Sequence, residues 1–305
     1  MRRAPLTAAF LLAALALPGC LRGAVVDARI AEARASAEAL ETLGDTEVAL
    51  AGTLSQLAEL EGLYRMAPHD DDVLFALVRG WTMYGTLFLA DAREAAAREG
   101  NDRAKVGYEL RERHALERAV GFGLSALAKR GGNLDEARRT REGLSAHCEQ
   151  RLTSRADGEL AYFVGRAWLA RSRLAKGDPT ARVFEPFVGL VLLERSNRLA
   201  PGYAHFGAST WLAGAQAEAK DGADEARRAY EVLLEKTQRK ALVVQLEYAL
   251  RVACPTGDTL LYERLLNEVL GASDPGLDER LANVFAKRRA ARALAPEVVA
   301  TCKAP

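Results

Sequence analysis

Residues 187–236 decide the fold, with the sequence FVGLVLLERSNRLAPGYAHFGASTWLAGAQAEAKDGADEARRAYEVLLEK. The stretch predicts a helix that stops before Pro201, followed by a helical hairpin. The small residues Gly214 and Ala226 would let the two hairpin helices approach, and Tyr230 would fill the groove between them. This spacing is typical of a degenerate tetratricopeptide (TPR) repeat. The predicted fold class is therefore all-α, with TPR-like helical hairpins stacked into a compact α-solenoid or bundle.

The rest of the chain also favours helices, since Ala, Leu, Arg and Glu dominate and β-branched alternation is almost absent. A polar segment, 134–150, is predicted to cross between two halves, and the C-terminal tail with Cys302 is predicted to be irregular. Apolar periodicity and turn residues predict helices over 24–42, 46–66, 71–98 and 102–129, one beginning at Asp157, one ending at Pro255 and one capped by Asp258.

The N-terminus has the pattern of a bacterial lipoprotein signal. Residues 1–20, MRRAPLTAAFLLAALALPGC, give a charged head, a short apolar run and a lipobox that ends at Cys20. We predict that 1–19 is a signal peptide, that Cys20 is lipidated, and that 20–305 is a single all-α domain. Leu21 after the cysteine favours a periplasm-facing position on the outer membrane. The alternative is an ordinary signal peptide with an accidental cysteine.

Charge and cysteine content limit the possible functions. The net charge is +1, from 42 basic and 41 acidic residues, so nothing electrostatic favours nucleic-acid binding. Cys148, Cys254 and Cys302 remain after Cys20, and either one disulfide plus a free thiol or three reduced cysteines would fit.

Catalytic and metal-binding motifs are missing from the sequence. It has no HExxH, GxSxG, SxxK or P-loop pattern and no Cys/His metal spacing, so we predict neither an enzyme nor a cofactor. His69 beside Asp70, Asp71 and Asp72 could suggest a metal. An inter-helix turn with acids at a helix N-terminus is the favoured interpretation.

Three tryptophans recur at nearly regular spacing. Trp81, Trp168 and Trp211 each follow a small or short residue within a predicted first helix of a hairpin. Equivalent repeat positions would take the same large core residue, and this interpretation is the simpler one. The alternative is that the three line an internal face shared by stacked hairpins.

Five segments resemble the TatT family, the T-component lipoproteins associated with TRAP transporters. The resemblance covers most of residues 70–295 as motifs of medium specificity in the right order. The segments are RGWTMYGTLFLADARE (79–94), AYFVGRAWLARSRL (161–174), LLERSNRLAPGYAHFGASTWLAG (192–214), YEVLLEKTQRKALVVQLEYALRV (230–252) and YERLLNEVLGASDPGLDERLANVFAKRRAARAL (262–294).

The resemblance implies an all-α body of cryptic TPR-like hairpins, a lipid anchor and a homotrimer. It also implies a periplasmic solute-binding (P) component as partner, and a pore-like channel that handles a hydrophobic or organic-acid ligand. If such a channel exists, Arg195 and His205 could form a polar mouth beside Tyr203, with Trp211 in the apolar wall. The alternative is that Arg195 caps a helix and Trp211 is core.

Two functional classes stay open from the sequence. The first is a TRAP accessory component that docks a solute-binding protein and passes ligand. The second is a generic TPR envelope lipoprotein that acts as a protein-interaction scaffold without a small ligand.

Overall fold

The chain folds into helices throughout the part that the computed structural model describes, residues 26–174, 185–274 and 276–302. The predicted all-α class is confirmed, since 79% of residues are helical and no strand occurs within those ranges. In chain order the helices are α1 (26–41), α2 (Thr46–Met66), α3 (Asp71–Arg98, with a π-helical turn over Tyr84–Leu89), α4 (Asp102–Ala128), α5 (Leu134–Ala137), α6 (Arg141–Arg151), α7 (Arg155–Leu174), α8 (Pro186–Leu199), α9 (Gly207–Ala217), α10 (Ala223–Lys236), α11 (Leu242–Tyr248, continued by a π-helical turn over Ala249–Ala253), α12 (Thr259–Gly271), α13 (Arg280–Ala293) and α14 (Pro296–Thr301). The signal peptide and Cys20 lie outside the described residues.

The hairpin predicted from residues 187–236 is present. α8 ends at Leu199, and α9 then packs against α10. Ala226 and Tyr230 are fully buried. A Cβ placed on Gly214 would lie 3.2 Å from the Tyr230 hydroxyl, so the glycine does allow a close approach. TPR-like stacking of successive hairpins stays a prediction.

The acidic run after Pro68 forms a helix cap. The Asp70 carboxylate accepts hydrogen bonds from the backbone amides of Asp72 and Val73 at 2.9 and 3.0 Å. These amides are donors that a helix N-terminus leaves without an intrahelical partner. The interpretation of this run as an inter-helix turn is confirmed.

Two local predictions were wrong. Residues 134–150 do not cross between two halves, because most of them form α5 and α6, whose buried Leu144 and Cys148 belong to the N-terminal core. The tail is helical as α14 and is tied down by a disulfide between Cys302 and Cys254. Cys148 is a buried free thiol, which settles the cysteine pairing left open by the sequence.

Two large hydrophobic cores divide the described residues. The N-terminal core runs from Val26 to Ala208, and the C-terminal core from Ala213 to Cys302. A smaller cluster joins α2, α3 and α4 to Leu281 and Phe285 at the start of α13. The boundary between the large cores falls inside α9, so this one helix contributes to both.

Helix α3 is 28 residues long and, by length and composition alone, apolar enough to cross a membrane. Half of its apolar window is buried inside the fold. Val73, Leu74, Leu77 and Val78 on this helix all belong to the N-terminal core. This burial is typical of a core helix.

Two glycines set the crossing of α7 and α8. A Cβ on Gly165 would lie 2.9 Å from the carbonyl oxygen of Gly189, and a Cβ on Gly189 would lie 2.9 Å from that of Gly165. Backbone atoms cannot move aside as a flexible side chain can. The crossing therefore needs glycine at both positions. It fixes the position of α7, the helix that carries several of the cavity residues described below.

We expect Gly165→Ala to lower the free energy of unfolding by about 1–3 kcal/mol, because the added methyl group overpacks the crossing. The matched control is Gly121→Ala in α4, where nothing lies within 4 Å of the added Cβ. That change should stabilise the protein by about 0.5–1 kcal/mol, as Ala favours helix over Gly. Urea unfolding followed by circular dichroism measures both, and equal effects of the two substitutions would contradict the close crossing.

Candidate functional site

A cavity of about 290 Å³ lies where the two large cores meet. Its wall comes from α3, α7, α9, α11 and α13, with Glu41 from α1, Glu112 from α4 and the loops before α9, α11 and α13. Because α9 belongs to both cores, its residues Gly207, Thr210, Trp211 and Gly214 face the cavity from between them. The volume is close to the lower end of the range typical of small-molecule sites.

The apolar part of the wall comes from both halves of the chain. Leu87 and Phe163 belong to the N-terminal half, and Trp211, Leu246 and Phe285 to the C-terminal half. Large aromatic and aliphatic side chains of this kind favour contact with an apolar ligand.

Both π-helical turns contribute to the same cavity. Thr86 and Leu87 belong to the turn in α3, and Arg251 belongs to the turn that continues α11. Single π-helical turns inside α-helices are frequent at functional sites, because the extra residue re-aims the side chains. Their coincidence at one cavity marks it as the candidate site.

Charged residues form a chain of ion pairs along the wall. Arg289 lies 2.9 Å from both Glu94 of α3 and Glu247 of α11, and so connects the two halves of the protein. Glu247 also lies 3.1 Å from Arg251, which in turn lies 3.0 Å from Glu218. Burial alone would raise the pKa of Glu247. The neighbouring arginines, Arg289 foremost, outweigh burial and lower that pKa to about 2.

A separate ion pair, between Arg93 and Glu112, also lines the cavity. The Glu112 carboxylate accepts a hydrogen bond from Arg93 at 2.7 Å. Burial raises the pKa of Glu112, and Arg93 offsets this only in part. Glu112 nevertheless provides Arg93 with a direct counter-charge.

Arg166 of α7 differs from these arginines. It donates hydrogen bonds to the Thr86 hydroxyl at 2.6 Å and the Tyr162 hydroxyl at 3.2 Å, and it contacts the Met83 sulfur. Its guanidinium carbon lies 5.9 Å from the ring centre of Trp211. Within the described residues no carboxylate comes within ion-pair distance of Arg166, so all its contacts are with neutral groups.

His205 lies at the half-exposed edge of the cavity. Its Nδ1 is 2.6 Å from a carboxylate oxygen of Glu279, just before α13. This hydrogen bond raises the pKa of His205, with burial opposing it. Ala204, His205 and Phe206 have φ of 47°, 52° and 61°, a left-handed backbone uncommon for non-glycine residues, so this turn is held by its surroundings.

The model of the TRAP transporter T-component family matches residues 43–298, which include every cavity residue except Glu41. The chain belongs to this family. The resemblance noted from the sequence is thereby confirmed, and with it an association with TRAP transporters. Comparison with curated proteins gives no match.

The T-component cavity brings together only some of the residues proposed from the sequence. His205 and Trp211 line it, and Tyr203 lies beside it with its ring edge-on to Tyr162 and Phe163. Burial raises the pKa of Tyr203, so its phenol stays neutral. These contacts place the loop before α9 and the aromatic part of α7 at one site.

The other three proposed residues lie away from the cavity. Trp168 is a core residue, 2% exposed, whose indole donates to the Glu185 carbonyl. Trp81 of α3 does not line the cavity, and its indole donates a hydrogen bond to Glu61 of α2. Arg195 donates to the carbonyl of Leu152 at 2.9 Å, at the C-terminal end of α6, which is the capping role considered as its alternative.

Arg166 was not among the site residues predicted from the sequence, although its sequence neighbours are informative. On a helix, residues three and four positions away share a face. Arg166 has Tyr162, Phe163, Leu169 and Ala170 at those positions, so no acid could pair with it locally. An arginine on an apolar helix face, without an acid three or four positions away, is therefore a candidate site residue in a T-component sequence.

Histidine, cysteine and acidic residues do not form a metal-binding group of three or more anywhere in the ranges that the structure describes.

Proposed function

We propose that this T-component is a periplasm-facing lipoprotein of a TRAP uptake system, that it docks the solute-binding protein, and that its cavity receives that protein's hydrophobic or organic-acid ligand. The observation that carries the proposal is the mixed cavity inside the family-matching span, with aromatic walls and an arginine, Arg166, that pairs with no carboxylate of the described residues. Such a surface accepts an apolar body and a charged end together.

The proposed location rests on two further observations. The lipobox ending at Cys20 supports a lipid anchor, and the Cys254–Cys302 disulfide is of the kind that persists in an oxidising compartment such as the periplasm. An outer-membrane position, which Leu21 favours, and a homotrimer, which the family resemblance implies, complete the proposal.

Native mass spectrometry of the full chain, extracted from its own cells, tests docking and assembly together. The expected result is a trimer that carries the solute-binding protein of a TRAP system. Recovery with envelope-assembly proteins and without a solute-binding protein would instead favour the scaffold function.

The anchor has a separate test. We expect Cys20→Ser to abolish incorporation of labelled palmitate and to remove the processed protein from the membrane fraction, because lipidation needs the thiol. Cys148→Ser is the matched control, since that cysteine is buried in the fold and should not affect labelling. A Cys20→Ser protein that is labelled and fractionates as wild type does would refute the lipid anchor.

A further inference from the structure

We infer that Arg166 binds the carboxylate of a monocarboxylic acid whose apolar body lies along the aromatic wall of the cavity, and that the site selects against dicarboxylic acids and neutral analogues. This inference rests on the proposed ligand-receiving function and narrows its ligand class. Its basis is the distribution of charge among the cavity arginines.

Arg166 forms no ion pair with any carboxylate of the described residues. Its partners are two hydroxyls, a thioether and two aromatic rings, all of them neutral. Its Nε is buried and has no hydrogen-bond partner in the part of the chain that the structure describes. A guanidinium in a largely apolar wall gains most from a carboxylate, because a charge-assisted hydrogen bond there is stronger than one to a neutral group.

The other cavity arginines already have carboxylate partners. Arg93 pairs with Glu112, Arg173 with Glu218 at 3.2 Å, and Arg251 and Arg289 share Glu247. Among the described residues, Arg166 is thus the one cavity arginine that forms no ion pair, and it offers a place for one carboxylate. The second carboxylate of a dicarboxylic acid would meet apolar side chains or the acids of those pairs, and an unpaired buried charge is costly.

The apolar body has a defined surface to contact. The Trp211 ring lies next to Arg166 and also 4.7 Å from the guanidinium carbon of Arg173, which holds the indole at the cavity wall. Leu246 and Phe285 continue the wall. A carboxylate at Arg166 therefore leaves an attached aliphatic or aromatic group against carbon atoms.

Octanoate, suberate and octanamide are the probes, because they share one chain length and differ only in their ends. Isothermal titration uses the full chain, otherwise wild type, in which Cys20→Ser removes the acyl chains proposed at Cys20, so that no detergent is needed. We expect octanoate to bind the wild-type protein at least about tenfold more tightly than either suberate or octanamide, the effect typical of a hydrogen bond to a charged group. This comparison needs no variant of Arg166, so it stands even if substitution at Arg166 impairs folding.

The variants are Arg166→Met, which removes the charge and keeps the length, and Arg155→Met as the matched control. Arg155 begins the same helix, with 75% of its side chain exposed. Arg166→Met should weaken octanoate binding about tenfold or more and leave octanamide binding unchanged, whereas Arg155→Met should bind all three as wild type does.

The inference is overturned if octanoate does not bind, if suberate or octanamide binds as tightly as octanoate, or if a folded Arg166→Met protein keeps full octanoate affinity. Docking of the solute-binding protein is measured separately. Lost selectivity with intact docking refutes the carboxylate site alone. Selective octanoate binding without docking supports the carboxylate site and refutes the proposed partner.

Discussion

Replacing Cys254 and Cys302 together by alanine is expected to lower the free energy of unfolding by about 4 kcal/mol. The bridge joins residues 48 positions apart, so it removes much of the conformational freedom of the unfolded chain. It also holds α14 against the end of α11 in the C-terminal core. Urea unfolding of the double variant, followed by circular dichroism, measures the loss.

Reduction provides the matched control. Dithiothreitol should destabilise both the wild-type protein and a Cys148→Ala variant to a similar extent, because Cys148 is not part of the bridge. The double variant should not respond. A wild-type protein whose unfolding curve is the same with and without reductant would show that the bridge is absent or contributes nothing.

Glu247→Gln is expected to destabilise the protein by about 3 kcal/mol. The side chain is only 17% exposed and pairs with Arg251 and Arg289, so its neutralisation leaves two arginines short of a counter-charge. Glu218 and Glu94 still pair with them, which keeps the loss at the lower end of the range for broken buried pairs. The matched control is Glu235→Gln on the exposed side of α10, which should change stability by less than about 0.5 kcal/mol.

The ion pairs of Glu247 give the free energy of unfolding a pH dependence of known sign. The folded pKa of Glu247 is about 2, below the value of about 4.3 for an unfolded glutamate. Its stabilisation is therefore present above about pH 4.3 and is lost as the pH falls towards 2. Wild-type stability should fall more steeply than that of Glu247→Gln across this window. Parallel curves would mean that the arginines do not hold Glu247 ionised.

Local sequence signals predicted most of the helices. α2 and α3 have the predicted bounds because an apolar period, an aspartate cap and a terminal proline or glycine all lie within a few residues of each helix. The prediction for the polar segment 134–150 was wrong because its few buried positions are too sparse to show a helical period. The prediction of an irregular tail was wrong because α14 is joined to the fold by a disulfide 48 positions away, a pairing that the sequence left open.

The site was harder to predict for a related reason. Whether an arginine is free or paired depends on residues that are distant in the chain, as with Arg289 and Glu94, 195 positions apart. Arg195 looked available because its partners are backbone carbonyls of another helix, which no side-chain pattern encodes. His205 and Trp211 do line the cavity, and the loop and helix that carry them are short and contiguous in the sequence.

Helix α9 gives the cavity a mechanical property. The space lies at the seam between two close-packed bodies that share one helix, and is not a void inside either of them. Close-packed interiors resist compression, whereas packed helices can slide past one another by small amounts. We therefore expect any change in the width of the cavity to come from a slight shear of the halves at α9 and not from compression of either interior.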